Sequence, residues 1–156
     1  MCKILSAGEV DISIVKQIEI RSGLSPWSEA DYLIELNRDD SLFFVAKNEQ
    51  QETVGFVLAR LIMNLDTSLS NEIEIYNIAI DKDYRRKSVA SALLDRIIQI
   101  GFDKGVQRIF LEVRKSNMGA QSFYKNYSFS VCGERKNFYT NPTDDAILMC
   151  RDLKSI

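Results

Sequence analysis

Hydrophobic positions near the start of the chain predict a short strand and then a helix. The strand lies around Ile4, and Val10, Ile14 and Ile18 then recur at the four-residue spacing of one helical face. Gly23 follows the last of these positions and supplies a stop signal. The pattern therefore predicts a first helix whose buried stripe is carried by those three residues.

A second helix is predicted to run to about Leu36. Two serines can cap its N-terminus: Ser25, which precedes a proline, and Ser28, which lies three residues before Asp31. Both arrangements are typical of helix starts, so the first residue of this helix stays open between them.

The next part of the chain reads as three strands. Residues 42–47 and 54–63 are rich in β-forming side chains and are separated by the polar segment 48–52, which predicts a hairpin. A third strand covers residues 73–80. Its apolar residues change from odd to even positions, and this slip of phase predicts a β-bulge at residues 75–76.

A broad apolar stripe then predicts a long helix from residue 89 to about residue 102. Gly105 is placed to end it. The stripe consists of Val89, Leu93, Ile97 and Ile100, flanked by Ala90, Leu94 and Ile98.

The C-terminal third alternates strand, helix and two strands. In residues 109–114 the aliphatic side chains occupy every second position, which predicts a strand, and Ser116 or Asn117 then caps a short helix. The last two strands are expected near residues 129–135 and 146–153. The full order is βααβββαβαββ. It predicts an α/β (α+β) fold with a mixed, mostly antiparallel sheet flanked by helices on both faces.

Length and composition agree with this prediction. The chain has 156 residues, of which 46% are hydrophobic and 27% charged, with only 2 Pro and 7 Gly. These values are typical of a globular domain, and no repeat or linker divides the chain, so residues 1–156 are expected to form one domain.

Charge and the N-terminus limit the partners. The net charge is −2 and the isoelectric point is near 5.3, so nucleic acid and anionic membranes are not expected partners. The N-terminus lacks the apolar stretch of a signal peptide or membrane span.

Cysteine and histidine counts limit the chemistry. Cys2, Cys132 and Cys150 are odd in number and widely spaced, which fits neither a disulfide framework nor a zinc site and favours the cytoplasm. The chain contains no histidine. Catalytic triads, HExxH metal sites and histidine bases are therefore excluded, and no metal is expected.

A basic turn is the first candidate site. Residues 84–91 connect a buried strand to the long helix, whose first N–H groups lack partners within the helix. Arg85, Arg86 and Lys87 place three cations there, and small side chains follow at 88, 90 and 91. Such a turn suits a diphosphate, although a solvated basic turn is the simpler interpretation of a charge run alone.

Two segments carry a resemblance to a known family. Residues 77–80 with the following turn resemble the acetyl-CoA motif of GNAT N-acetyltransferases, in which Ser88 replaces the first glycine of the pattern. Residues 111–117, followed by Tyr124 and Phe129, resemble the bacterial ribosomal-protein-alanine N-acetyltransferases. Ser128 stands where that family has a second glycine. The resemblance spans most of the chain outside the loop 64–71.

The resemblance implies roles for individual residues. Glu112 would be the base that accepts the amine proton, and Tyr124 the acid that protonates the leaving thiolate. Asn117 would contact the cofactor. Acetyl-CoA would be held along its pantetheine arm by the backbone of Ile78, Ala79 and Ile80, and at its pyrophosphate by Arg85, Arg86, Lys87, Ser88, Val89, Ala90 and Ser91.

The residue types suit these roles, and alternatives remain. An amine that is protonated at neutral pH needs a base, and a carboxylate is the natural choice without histidine. Glu112 shares its strand face with Phe110 and Arg114. Glu74 is the rival base, because many family members place their carboxylate on that strand. Trp27 and Tyr139 are candidate acceptor contacts, although a lone Trp is also typical of a core.

The predicted activity is transfer of acetyl from acetyl-CoA to a primary amine. The predicted acceptor is the N-terminus of a protein or peptide, such as a ribosomal protein, and the enzyme would be a monomer or homodimer. A small-molecule amine is the alternative acceptor. A catalytically weakened CoA-binding module is the alternative from another class, because two family glycines are replaced by Ser88 and Ser128.

Overall fold

The computed structural model describes residues 1–23, 27–66 and 68–153, and its elements follow the predicted order βααβββαβαββ. The strands are β1 (Lys3–Ser6), β2 (Ser41–Lys47), β3 (Thr53–Ile62), β4 (Glu72–Ile80), β5 (Arg108–Arg114), β6 (Ser130–Tyr139) and β7 (Asp144–Asp152). The helices are α1 (Ile12–Arg21), α2 (Glu29–Leu36), α3 (Val89–Asp103) and α4 (Met118–Asn126).

The strands are hydrogen-bonded in the order β1-β2-β3-β4-β5-β7-β6. β4 and β5 pair in parallel, whereas the pairs β1–β2, β2–β3, β5–β7 and β6–β7 are antiparallel. The predicted class, a mixed and mostly antiparallel sheet with helices, is confirmed. By its internal contacts the chain divides into one unit of Met1–Leu61 with Tyr76–Ile100 and a second of Ile62–Ile75 with Gly101–Ile156.

In the first unit, α1 exists as predicted but buries a different face. Ile12, Val15 and Ile18 are buried, whereas Val10 is 85% exposed and Ile14 37% exposed. A 3-10 turn precedes the helix, and two acidic residues of this region are also buried, Asp11 and Glu19. The predicted stripe was therefore wrong except at Ile18: Val10 lies in the 3-10 turn before the helix, and Ile12 and Val15 take the buried positions.

Of the two predicted caps of α2, Ser28 is the N-cap in the structure. Its hydroxyl accepts the N–H of Asp31 at 3.0 Å, and the Asp31 carboxylate accepts the N–H of Ser28 at 2.8 Å. This reciprocal pair satisfies two N–H groups at the helix start. The alternative cap, Ser25, lies outside the described residues.

The predicted hairpin of β2 and β3 is confirmed by its antiparallel register, in which Ser41 lies opposite Arg60. The burial of β4 does not change phase at residues 75–76, where the apolar pattern predicted a β-bulge. Odd-numbered residues are buried from Ile73 to Ala79, including the polar Asn77. Asn77 occupies an inward position where an apolar residue was expected, and its Nδ2 donates to the Tyr32 hydroxyl at 3.2 Å. The apolar pattern therefore changes phase along the strand, although the burial pattern does not.

In the second unit, β7 lies between β5 and β6. Glu112 of β5 is opposite Leu148 of β7, which is opposite Gly133 of β6. β6 continues to Tyr139, four residues beyond the predicted end at Arg135. Its register breaks between Arg135 and Tyr139, and this irregularity lets the strand continue through a polar segment that does not alternate.

Cys132 and Cys150 form a disulfide between β6 and β7, although the number and spacing of the cysteines did not fit a disulfide framework. Adjacent antiparallel strands bring the two residues together across an 18-residue separation that the spacing did not indicate. The cytoplasmic location stays a prediction, and the cysteine count no longer supports it. Among the described residues, no helix has the length and apolar character needed to cross a membrane.

Candidate active site

The turn from residue 84 to residue 91 has an unusual backbone. Arg86 and Ser88 adopt left-handed conformations, with φ of 60° and 62°. The Ser88 carbonyl accepts the N–H of Ala92 at 3.0 Å and so opens α3. The N–H groups of residues 86–88 donate to no partner within the described part of the chain. Unpaired N–H groups at the start of a 15-residue helix can bind an anion.

The three cations of this turn are not equivalent. Arg85 donates from Nε to the Ile80 carbonyl at 3.2 Å and from a terminal nitrogen to the Ser22 hydroxyl at 3.4 Å. It is therefore bound to the protein itself, whereas the prediction treated it as a ligand group. Arg86 and Lys87 are exposed, and the Lys87 ammonium lies 5.3 Å from the Tyr84 ring centre.

Tyr84 anchors the turn to the β2–β3 hairpin. Its hydroxyl accepts from Asn48 Nδ2 at 2.9 Å. Asn48 is buried, and its side-chain oxygen also accepts the N–H groups of Gln50 and Glu52. One amide thus organises the hairpin loop and holds the start of the basic turn. The sequence indicated neither role.

The strand segment before the turn has an open edge. The parallel ladder of β4 covers residues 72–75 and ends at Ile75. Within the first unit, Ile78 is half-buried, while Ala79 and Ile80 are buried. Gly55 of β3 lies close to this segment, since a Cβ there would lie 3.2 Å from the Ala79 carbonyl oxygen and 2.7 Å from Ile80. The absence of a side chain at residue 55 is therefore required for this packing.

Glu112 projects from the middle of β5 and is mostly buried, with 17% of its side chain exposed. Its Oε1 lies 3.3 Å from Nε of Arg135 on β6. Burial of a carboxylate is costly unless a cation compensates it, and Arg135 supplies that cation. The prediction considered Arg114 as the neighbouring arginine. In the structure the arginine next to Glu112 is Arg135, because β6 pairs with β7, which in turn pairs with β5.

Arg114 instead stacks on Tyr139. Its guanidinium lies 4.5 Å from the ring centre and donates to the carbonyls of Pro142 at 2.8 Å and Thr140 at 3.2 Å. Burial raises the pKa of Tyr139, and the negative charge of Glu112 adds to the shift. The predicted acceptor residue Tyr139 and the predicted base Glu112 are therefore electrostatic neighbours.

Tyr124 lies on α4 and is 4% exposed. Its ring packs edge-on against Phe123 at 5.2 Å and Phe129 at 5.5 Å. Burial raises the pKa of its phenol, which therefore keeps its proton at neutral pH. Within the described residues, its hydroxyl has no hydrogen-bond partner. A buried phenol of this kind can act as a proton donor.

Asn117 is the N-cap of α4. Its side-chain oxygen accepts the N–H of Ala120 at 3.0 Å, which decides between the two predicted caps, Ser116 and Asn117. Ser116 instead binds Asp144, through its N–H at 3.1 Å and its hydroxyl at 2.6 Å. The amide nitrogen and the second lone pair of the oxygen are the side-chain groups with which Asn117 can make the predicted cofactor contact.

Trp27 packs against the core and also lines a hollow at the surface. It stacks on Tyr32 at 5.5 Å and meets Tyr76 edge-on at 5.6 Å. Its backbone N–H donates to the carboxylate of the buried Glu19 at 3.2 Å. It also lines a hollow of about 440 Å³ in the first unit, together with Asp31, Ile34, Glu35 and Arg60.

Glu74, the rival base, is half-buried on β4 opposite Phe110 of β5. Neither an ion pair nor a hydrogen bond to its carboxylate occurs within the described residues. Glu112 and Glu74 therefore differ in environment, because only Glu112 has a cationic partner. In the same residues, no cluster of His, Cys, Asp or Glu is arranged to hold a metal ion.

Comparison with known proteins identifies the family. The acetyltransferase (GNAT) family matches residues 12–129. The chain belongs to the GNAT acetyltransferase family. The predicted enzyme class, an N-acetyltransferase, is thereby confirmed, as is the recognised resemblance.

Individual relatives agree. The [ribosomal protein bS18]-alanine N-acetyltransferase of Escherichia coli (strain K12) is 29% identical over 151 residues, which is 96% of each chain. The crystal structure of the ribosomal-protein-S18-alanine N-acetyltransferase from Escherichia coli matches with a TM-score of 0.84 at 30% identity, over 100% of this chain and 96% of that one. Arabidopsis thaliana NAA60 in complex with acetyl-CoA has the same fold, with a TM-score of 0.87 at 18% identity, covering 99% of this chain and 100% of its own.

Proposed function

We propose that this GNAT enzyme transfers the acetyl group of acetyl-CoA to the N-terminal α-amine of a protein, such as a ribosomal protein. The observation that carries the proposal is the mostly buried, ion-paired Glu112, which stands on a chain similar over almost its full length to ribosomal-protein-alanine N-acetyltransferases. The family match at residues 12–129 draws on both units, which supports a single acyltransferase domain over residues 1–156.

The residues of the basic turn fit the pyrophosphate of acetyl-CoA. Unpaired N–H groups at residues 86–88 and the exposed cations Arg86 and Lys87 can bind its oxygens. Ser88 adopts the left-handed backbone that the family glycine would take. This retained geometry supports binding of the cofactor, which the alternative of a catalytically weakened CoA-binding module also requires. Val89, Ala90 and Ser91 would extend this pyrophosphate site into the first turn of α3. Arg85 stabilises the basic turn through its hydrogen bond to the Ile80 carbonyl.

The pantetheine arm would run along the edge of β4. Residues 76–80 lie beyond the end of the parallel ladder at Ile75, so their backbone groups on that side can bond a ligand. The backbone of Ile78, Ala79 and Ile80 suits the amides of pantetheine. Acetyl-CoA supplies an activated thioester whose carbonyl carbon accepts the amine.

Glu112 would remove a proton from the acceptor. An N-terminal amine has a pKa of about 7.7–8.0, so a large fraction is protonated at neutral pH and cannot attack. Transfer forms the N–C amide bond and breaks the C–S bond of the thioester. Glu112 takes one proton from the attacking nitrogen, directly or through water. The ion pair with Arg135 offsets the cost of placing this carboxylate in a mostly buried position.

Tyr124 would give its proton to the departing thiolate. The buried phenol is protonated at neutral pH, and no hydrogen bond to a described residue holds its hydroxyl. Donation makes CoA a neutral thiol, which is a better leaving group than its anion. Asn117, Trp27 and Tyr139 complete the proposed set of cofactor and acceptor contacts.

A pair of isosteric variants tests the base. Glu112→Gln should lower kcat/KM on a peptide acceptor by about 10²–10⁴-fold, the usual contribution of a general base. Glu74→Gln is the matched control, since it removes a carboxylate of the same type from β4. A large loss in Glu74→Gln with normal rates in Glu112→Gln would transfer the role to Glu74.

The acceptor class needs a separate experiment. Peptides beginning with Ala or Ser are compared with polyamines and other small amines, and mass spectrometry locates the acetyl group. Acetylation of the α-amine of the peptides is the expected result. Exclusive acetylation of small amines would reject a protein acceptor, while leaving acetyl transfer itself in place.

A further inference from the structure

Arg135 is an exposed cation in direct contact with the proposed base. Its side chain is 60% exposed, whereas that of Glu112 is only 17% exposed. Nε of Arg135 makes the ion pair with Glu112 at 3.3 Å, and its guanidinium carbon lies 5.5 Å from the ring centre of Phe138. Two different contacts therefore hold one guanidinium in place, although most of it faces solvent.

The terminal nitrogens of this guanidinium are available to a ligand. An arginine has five N–H donors in a planar fork, and four of them lie on the two terminal nitrogens. Within the described residues these nitrogens have no hydrogen-bond partner, since the pair with Glu112 uses Nε. Neighbouring Lys136 differs, because its ammonium pairs with Glu134 at 3.0 Å and Asp145 at 3.3 Å.

The pair of Glu112 and Arg135 matches the two polar ends of an α-amino amide. In the first residue of a peptide, the amine and the carbonyl oxygen are separated by only three bonds. The Glu112 carboxylate can accept a hydrogen bond from the amine while the adjacent Arg135 donates to the carbonyl oxygen. The pair would then bind both groups of one residue. A lysine side chain or a polyamine has no such carbonyl beside its amine.

Building on the proposed function, we propose that Arg135 determines acceptor specificity by donating its terminal N–H groups to the carbonyl oxygen of the acceptor's first residue. The contact with Glu112 orients the guanidinium, and the Phe138 ring supports its other side. The substrate class that follows is an N-terminal α-amine next to an amide carbonyl, in preference to an isolated primary amine.

Two peptides that differ only in their first residue test this role. One begins with alanine and the other with β-alanine, whose extra methylene moves the carbonyl away from the amine. The ratio of kcat/KM for the two peptides is measured in the wild type, Arg135→Gln, Arg135→Lys and Lys136→Gln. Thermal unfolding confirms that each variant is folded.

The wild type should favour the alanine peptide, and Arg135→Gln should reduce that preference by about tenfold, because a charge-assisted hydrogen bond to the carbonyl is lost. Arg135→Lys should keep part of the preference, since an ammonium donates without the planar fork. Lys136→Gln should leave the ratio unchanged. A loss of rate that is equal for both peptides would reflect only the orientation of Glu112.

The outcomes separate this inference from the function on which it rests. An unchanged ratio in Arg135→Gln, or an equal fall in Lys136→Gln, would overturn the role of Arg135. Equal rates of the wild type on both peptides would also overturn it, while leaving N-terminal acetylation intact. A wild type that acetylates only small amines would instead reject the proposed protein acceptor, and the specificity role would fall with it.

Discussion

The N–H of Phe129 donates to the carbonyl oxygen of Tyr124 at 3.1 Å, and the two aromatic rings pack 5.5 Å apart. Between them, the N–H of Ser128 donates to the Lys125 carbonyl at 3.0 Å. These two bonds and the ring contact form a Schellman motif at the end of α4. The motif requires a left-handed residue, and Ser128 occupies that position with φ of 66°.

Ser128→Gly should therefore stabilise the protein by about 0.5–1 kcal/mol. A left-handed backbone is strained for a residue with a Cβ and unstrained for glycine, and the greater freedom of glycine in the unfolded chain offsets part of the gain. Urea unfolding measures the difference. Ser128→Ala keeps the Cβ and is the control. Equal stability of the alanine and glycine variants would contradict strain at this position.

Ser88→Gly should tighten acetyl-CoA binding about threefold, because glycine adopts the left-handed φ of 62° at this turn without strain and brings the backbone closer to a ligand. Isothermal titration calorimetry measures the dissociation constant. Ser88→Ala retains the strain but removes the hydroxyl. If both variants bind more weakly than the wild type, the hydroxyl itself contacts the cofactor and the role of strain is refuted.

Tyr124→Phe should lower kcat by about a hundredfold while the affinity for acetyl-CoA stays within about twofold, as expected for a general acid. The fold should be retained, because the ring contacts with Phe123 and Phe129 remain. Tyr127→Phe, three residues later at the C-cap of α4, is the matched control. Loss of affinity with unchanged kcat would assign Tyr124 to binding.

Cys132→Ser should destabilise the protein by about 3 kcal/mol, since it opens a disulfide that closes a loop with a sequence separation of 18. Chemical denaturation without reductant measures the change. Cys2→Ser removes the free cysteine and should have no comparable effect. A wild type equally stable with and without a dithiol reductant would show that the bond contributes nothing in solution.

Much of the fold could be predicted from local pattern. The order of elements and the extent of α3 depend on residues close in the chain and were anticipated, and the cap of α4 was narrowed to Ser116 or Asn117. The burial of Asp11 before α1 and of Glu19 within it could not be predicted, because their partners lie elsewhere in the first unit. Lys47 and Thr53 bind Asp11, and Tyr32 binds Glu19.

Some residues of the candidate site could likewise be predicted from the sequence, and others could not. Glu112, Tyr124 and the basic turn are recognisable because their motifs are contiguous, and their predicted roles await the experiments above. The pairing of Arg135 with Glu112 and of Cys132 with Cys150 is visible only in the structure. Both depend on β7 lying beside β5 and β6, an arrangement that the spacing of those residues does not encode.

By itself, the sequence determined the family, the succession of strands and helices, and the exclusion of histidine chemistry, since these follow from composition and contiguous pattern. Tertiary structure alone decided which cation faces Glu112, which cysteines meet and which glycine-replacing serines keep a left-handed backbone. The physical reason is that these features depend on strand pairing and on backbone dihedral angles, and neither is a property of residues taken one segment at a time.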